Sequence, residues 1–297
     1  MKQLFSANSM WQDISANAFK NYDMEYFRAN GPNNRLATAY NPKTHGLLFF
    51  KTILYNISLS LSDNDKIILN KIKNRDFGNP TSINFSENLE VDIDYLQSLN
   101  EVKFLNETLN KSNTILEIGG GYGRSAHSIL TLYPTIQKYF IIDLDVVLEL
   151  AKKFLSTVLP QSLYSKVVFL RVDTDDNVFK NTSVDLCINI NSFQEMDPKV
   201  VRNYIHWIDQ KCRYFYCNNT VGKFDPELCG FQKTASTKNA LNSGLLQNKL
   251  NIFNEKEISK ACKSFINAFL PSDLWECVKH SSCIPWPHYY QALYKKL

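Results

Sequence analysis

From residue 92 onward, two hydrophobic rhythms alternate along the chain. Thr114–Ile118, Tyr139–Asp143, Val167–Val172, Val184–Ile190 and Arg213–Cys217 are short, nearly unbroken apolar runs. Runs of that length predict strands buried on both faces. Between them the spacing changes. Val146, Val147, Leu150, Ala151, Phe154 and Leu155, and later Val200, Val201, Tyr204, Ile205 and Ile208, fall on single helical faces. Strand alternating with helix predicts an α/β fold with a doubly wound parallel sheet. A further helix is expected over Glu255–Phe269, and Trp275–Lys279 and Tyr289–Tyr294 read as a closing hairpin-like pair.

Upstream the patterning is looser. Trp11, Phe19, Tyr22, Tyr26 and Phe27 recur at roughly helical spacing, and Asn41-Pro42 signals a turn. A helical pattern runs from Thr44 to Leu59, and Ser62-Asp-Asn-Asp65 offers an N-cap for a second helix reaching Lys73. Gly78-Asn79-Pro80 interrupts the chain. From Asp92, the apolar set Ile93, Leu96, Leu99, Val102, Leu105 and Leu109 predicts a helix running into the first strand. The division expected is a mainly helical N-terminal cap or lid over residues 1–90 and a sheet domain over 91–297.

Composition narrows the classes. A chain of 297 residues, 44% hydrophobic and 21% charged, is ordinary for a soluble globular protein. A net charge of +4 is too mild to imply a nucleic-acid or anionic-membrane partner. The longest apolar stretch, His45–Leu61, is interrupted by Lys51, so no membrane span is expected. The first residues lack a signal-peptide core. Seven cysteines without a Cys-x-x-Cys pair suggest neither a disulfide framework nor a zinc site. A cytoplasmic location is expected.

The chemistry centres on the turn after the first strand, Glu117-Ile-Gly-Gly-Gly-Tyr-Gly-Arg124. A dinucleotide fingerprint needs glycine at the first, third and sixth positions, and the sixth here is Arg124. A phosphate-cradling P-loop needs a lysine that Gly123-Arg124-Ser125 lacks. An acid two residues before Gly119-x-Gly121-x-Gly123 resembles motif I of class I S-adenosylmethionine (SAM)-dependent methyltransferases. Asp143, ending the second strand, is placed to accept both ribose hydroxyls, with Asp145 as a rival that instead suits a helix start. Asp173 closes the third strand, where it can meet an adenine amino group or cap the next segment. With Asp175 and Asp176 it can also hold a divalent cation, though no metal is expected.

"GGGYGR", "IIDLDVVLELAKKFL", "INSFQEM" and "YFYCNN" together resemble the bacterial sugar O-methyltransferases associated with surface-polysaccharide biosynthesis. The second strand departs from that pattern, ending Asp143-Leu144-Asp145 where Asp-Leu-Pro is expected. The resemblance implies a Rossmann-like, mostly parallel seven-stranded sheet with an antiparallel last strand. It also implies SAM contacts at Glu117, Gly119, Gly120, Gly121, Tyr122, Gly123, Asp143, Leu144, Asp173, Thr174 and Asn191. Glu117 would act near the methionine amino group. Where enzymes that methylate base amines carry Asn-Pro-Pro-Tyr, this chain has Asn191-Ser192-Phe193-Gln194, which argues against a nucleic-acid acceptor.

Methyl transfer to a hydroxyl needs the alcohol positioned and its proton removed. Glu195, just past the fourth strand, is the first candidate base, unless it pairs with a lysine or the following helix. His288, in Pro285-Trp-Pro-His288, is the second. His127 and His206 flank the apolar faces of their helices and are expected to be solvated. The long polar connection from Asn218 to Ile252 carries Lys223, Lys233, Lys238 and Asn239, which can meet a phosphate or simply stay in water. The expected partner is a small-molecule or glycan acceptor, with pairing into a homo-oligomer left open. Alternatives are another small acceptor, or a non-catalytic SAM-binding protein of the same fold.

Overall fold

The computed structural model describes residues 44–172, 183–224, 226–229 and 239–297. The chain divides into two compact units, residues 1–56 and 57–297. The described part of the first is helical, the greater part of α1 (Gly46–Ser58).

In the second unit, α2 (Asp63–Lys71) starts at Ser62, whose side chain accepts from the Asp65 N–H while the Asp65 carboxylate takes the Ser62 N–H. That reciprocal capping satisfies two donors a helix start otherwise leaves orphaned. A hairpin of β1 (Ser82–Ser86) and β2 (Leu89–Asp92) follows, so the stretch expected to be mainly helical ends in two short antiparallel strands. Asp92 then caps α3 (Ile93–Leu109) by accepting from the Tyr95 N–H at 3.0 Å.

Next come β3 (Thr114–Ile118), α4 (Arg124–Leu132), β4 (Lys138–Asp143), α5 (Asp145–Val158), α6 (Gln161–Tyr164), β5 (Val167–Arg171) and β6 (Val184–Ile190). The chain continues through α7 (Pro198–Lys211), β7 (Cys212–Thr220), β8 (Lys223–Phe224), β9 (Lys249–Leu250), α8 (Glu255–Ala268), β10 (Trp275–Ser282) and β11 (Tyr289–Lys296). Seven strands form one sheet in the order β10-β11-β7-β6-β3-β4-β5. β3 to β7 run parallel, and β11 pairs antiparallel with both β7 and β10. This is the expected α/β architecture, with the reversed final strand inserted beside β7.

Alternation along each strand divides the core between the two faces. Leu116, Ile118, Phe140, Cys187, Phe215 and Tyr294 pack toward α7 and α8. Ile115, Tyr139, Ile141, Leu186, Ile188 and Tyr216 pack toward α3, α4 and α5. Covering both faces is why the parallel strands read as unbroken apolar runs. The order also puts the C-terminal ends of β3, β4, β6 and β7 along one edge of the sheet, and ligands bind at that edge in such folds. Leu116 is fully buried in the central strand. Leu116→Ala is expected to lower the unfolding free energy by about 2–5 kcal/mol, measured as a reduced urea midpoint at unchanged slope.

Candidate functional site

The site is built where β3 ends. The Gly119 N–H donates to the Ile142 carbonyl at 2.9 Å, continuing the ladder to β4 before the chain turns. Gly119 has φ +72°, and a Cβ there would collide with the Ser192 side chain. Glycine is required on both counts. Gly121, at φ +55°, instead faces open space, with nothing within 4 Å of where its Cβ would stand. Its N–H donates to Asp143 Oδ2 at 3.0 Å, while Asp143 Oδ1 accepts the Leu144 N–H at 2.7 Å. The carboxylate ending β4 is therefore held against the glycine turn. Leu144 beside it is exposed, and Asp145 is the first residue of α5, where its charge suits the helix dipole.

Glu117 lies beneath the loop. Strand alternation turns it toward the α3, α4 and α5 face, where it is 2% exposed and accepts the Tyr139 hydroxyl at 2.8 Å. A Cβ on Gly120 would stand 3.3 Å from Glu117 Oε2. Burial pushes the carboxyl up to about 7, opposed by hydrogen bonds from Tyr139 and Ser125 and by the Arg124 charge. Gly123 caps α4 at φ +98°. Arg124, at the sixth position of the turn, is half-buried and pairs with the buried Glu101 at 3.0 Å while donating to the Asp94 carbonyl at 2.9 Å. The Tyr122 side chain leaves the loop, donating to Asp94 Oδ2 at 2.9 Å and standing edge-on to Phe154.

From the other side, the β6 loop closes on β3. Asn189 Nδ2 and Ser192 Oγ both donate to the Ile118 carbonyl, at 2.9 and 3.0 Å. Asn219 on β7 donates to Asn189 Oδ1 at 2.8 Å and accepts the Gln194 N–H at 3.1 Å. Gln194 accepts from Thr220 N–H at 2.9 Å and donates to the Tyr289 hydroxyl at 3.0 Å. Residue types alone do not reveal this amide network. The available signal is that Asn189 and Asn219 sit at the ends of otherwise apolar strands, yet both are fully buried. Asn191 adopts φ +60°, and its buried Oδ1 has no hydrogen-bond partner.

The two base candidates converge. Glu195 and His288, far apart in sequence, line one cavity of about 250 Å³ together with Thr220, Lys223 and Tyr289. Glu195 is exposed and donates its N–H to the Ser192 carbonyl at 3.1 Å, one turn from the residue packed against Gly119. His288 is buried, and burial holds its pKa below the ordinary imidazole value. On the far side of Asn191 a second cavity, about 320 Å³, is lined by amides and by Phe104, Trp286 and Tyr289.

Asp173 and Thr174, and with them the cation reading, lie outside the described residues. Among the described residues no cluster of three or more His, Cys, Asp or Glu could hold a metal ion. No helix among them is long and apolar enough to cross a membrane. His206 is exposed as expected, beside Gln210. His127 is not. It is 1% exposed, with Nδ1 2.6 Å from the Tyr95 hydroxyl, and burial pushes its pKa down to about 4. The packing of Tyr95 and Phe154 over its helix face excludes the water that the sequence pattern allowed.

A sheet of this order, with a reversed strand beside β7 and a glycine turn ending β3, is a Rossmann-like doubly wound architecture. Residues 74–171, less than half of the chain, match the family model described as an O-methyltransferase domain. No curated protein matches the sequence. Among solved structures, the mitomycin 7-O-methyltransferase MmcR is similar at 14% identity and a TM-score of 0.41, over 68% of this chain and 57% of that one. An O-methyltransferase family protein from Burkholderia thailandensis is similar at 14% and 0.43, over 68% and 58%. PigF with SAH is similar at 14% and 0.42, over 69% and 59%. The chain thus spans less than two thirds of the length of these proteins.

The buried acid gives a pH signature. The native state binds the Glu117 proton more tightly than the unfolded chain does, so stability relative to a Glu117→Gln variant falls as pH rises from 4.5 to about 7. A difference of about 3 kcal/mol is expected to open across that window, read from paired urea titrations at successive pH values.

Proposed function

We propose that this protein transfers a methyl group from SAM to a carbohydrate hydroxyl, on a nucleotide-sugar or a surface-polysaccharide sugar. The observation that carries the reading is the crevice at Gly121. There an open glycine backbone stands beside a fixed acid, Asp143, with an ion-paired arginine where a pyrophosphate-binding turn would have its third glycine. The match of residues 74–171 to an O-methyltransferase domain supports the same class.

These residues fit the cofactor. Asp143 would take the ribose diol, exchanging its bond to the Gly121 N–H for ligand hydroxyls, and Leu144 offers exposed apolar surface beside it. Asn191 contributes from the β6 loop, and Asp173 with Thr174 completes the set the resemblance implies. Glu117 acts from beneath the loop as a positioning residue whose charge favours an ammonium above it. SAM supplies the electrophilic methyl group when bound. The chain's task is to orient the acceptor and take its proton. The Glu195 carboxylate, or His288 in its place, would take the acceptor's hydroxyl proton. Both line the cavity next to the loop that begins at Ser192. That cavity mixes hydroxyl, amide and aromatic groups, matching the polar rim and apolar C–H face of a sugar ring.

A second placement of the acceptor is favoured by one observation. The unpartnered Asn191 Oδ1 borders the larger, amide-rich cavity, which suits a neutral sugar equally well.

Calorimetry with S-adenosylhomocysteine is expected to show binding that weakens at least about ten-fold in Asp143→Ala, an energy of about 1.4 kcal/mol. With SAM and a panel of nucleotide-sugars, Glu195→Gln is expected to keep that binding and slow product formation by about 10²–10⁴-fold. An unchanged rate would move the base to His288. NAD or ATP in the crevice, with no affinity for S-adenosylhomocysteine, would end the reading.

A further inference from the structure

The cavity between Glu195 and His288 holds a cation that the described residues around it only partly neutralise. The sequence left Lys223 either to meet a phosphate or to stay in water, as one of several lysines on a long connection. It begins β8, pairs in register with Lys249 and donates its N–H to the Asn248 carbonyl at 2.8 Å. Its side chain is 8% exposed. The ammonium has three donors. It makes one hydrogen bond among the described residues, to the Gln194 carbonyl at 2.8 Å. Among the described residues no carboxylate lies within 4.0 Å of it. Burial lowers its pKa, and the charge on Glu195 only partly opposes that shift. A buried ammonium with one neutral acceptor is costly unless something else supplies the counter-charge.

The same cavity has a second unsatisfied group. His288 is likewise 8% exposed, stands edge-on to the Phe224 ring at 5.8 Å, and has no partner for Nδ1. Among the described residues, Lys223 and His288 thus sit in about 250 Å³ with hydrogen-bonding capacity left unfilled, while Glu195, also lining the cavity, is the exposed acid. Charge then dictates polarity within the site. An anionic group is repelled at Glu195 and attracted at Lys223. A neutral hydroxyl suits the carboxylate.

We infer that this cavity selects an acceptor carrying an anionic oxygen group, a carboxylate or a phosphate, bound by Lys223 and His288 while Glu195 takes the hydroxyl. The inference rests on the methyl-transfer reading above and adds the substrate's charge to it. Bound anion oxygens would fill the free donors of the ammonium and fix the imidazole with its proton on Nδ1.

The test uses the full chain and needs no turnover. Glucuronate, glucose 6-phosphate and glucose are titrated in turn while the His288 ring resonances are followed, assigned by their loss in His288→Gln. Both anions are expected to shift the His288 signals and raise its pKa, the preferred one binding at least ten-fold more tightly than glucose. The tighter of the two identifies the carboxylate or the phosphate as the natural group. Lys223→Met is expected to remove the preference over glucose and Lys223→Arg to keep it. If Lys223→Met does not fold, the comparison of the three sugars on the native chain and on Lys223→Arg still decides. Equal responses to all three, no response to either anion, or a preference that survives Lys223→Met would each overturn the inference. Loss of the methyl-transfer reading would register separately, as absent S-adenosylhomocysteine binding.

Discussion

The carbonyl of Ile118 governs the arrangement of the site. It is the last acceptor of the central strand, at the point where a parallel sheet runs out of partners for it. Two side chains from the β6 loop, Asn189 and Ser192, supply those partners. Leaving a buried carbonyl unpaired costs a sizeable share of a domain's net stability, so the loop is drawn tightly against β3. That approach leaves no volume for a side chain on the next residue, and Gly119 follows from it. The glycine turn, the β6 loop and the amide network to β7 and Tyr289 are one structure braced at one atom.

Much of the architecture was legible in the sequence, for a physical reason. Strands covered on both faces are apolar at most positions, so β3 and β6 could be bounded to the residue and β4 and β5 to within one. Capping chemistry is equally local, and Ser62 and Asp92 begin their helices as expected. Pairs of two-residue strands such as β8 and β9 show no periodicity, which is why Lys223 read as a loop lysine. The hairpin β1–β2 is short and largely polar, and it follows a Gly-Asn-Pro break that marks a turn without announcing strands.

The site was legible in part. Glu117, the glycines and Asp143 lie close together because β3 and β4 are neighbours, which alternation of strand and helix already implies. The convergence of Glu195 and His288 depends on where β11 enters the sheet, information that no local pattern carries. The same holds for the amide network, whose partners come from three strands in an order that differs from their order along the chain. His127 illustrates the opposite failure. Its position on the helix suggested water, and two aromatic rings from other elements took that place.

Arg124 has a consequence for how this fold could change its ligand. A turn that grips a pyrophosphate differs from this one by a single residue on paper, glycine for arginine at the sixth position. In the folded chain that exchange would strand Glu101, a buried carboxylate whose counter-ion is Arg124. The intermediate would carry an unpaired charge in the interior before any new ligand could repay it. Conversion therefore requires two coupled replacements on separate helices, and the ion pair acts as a lock on the present shape of the turn.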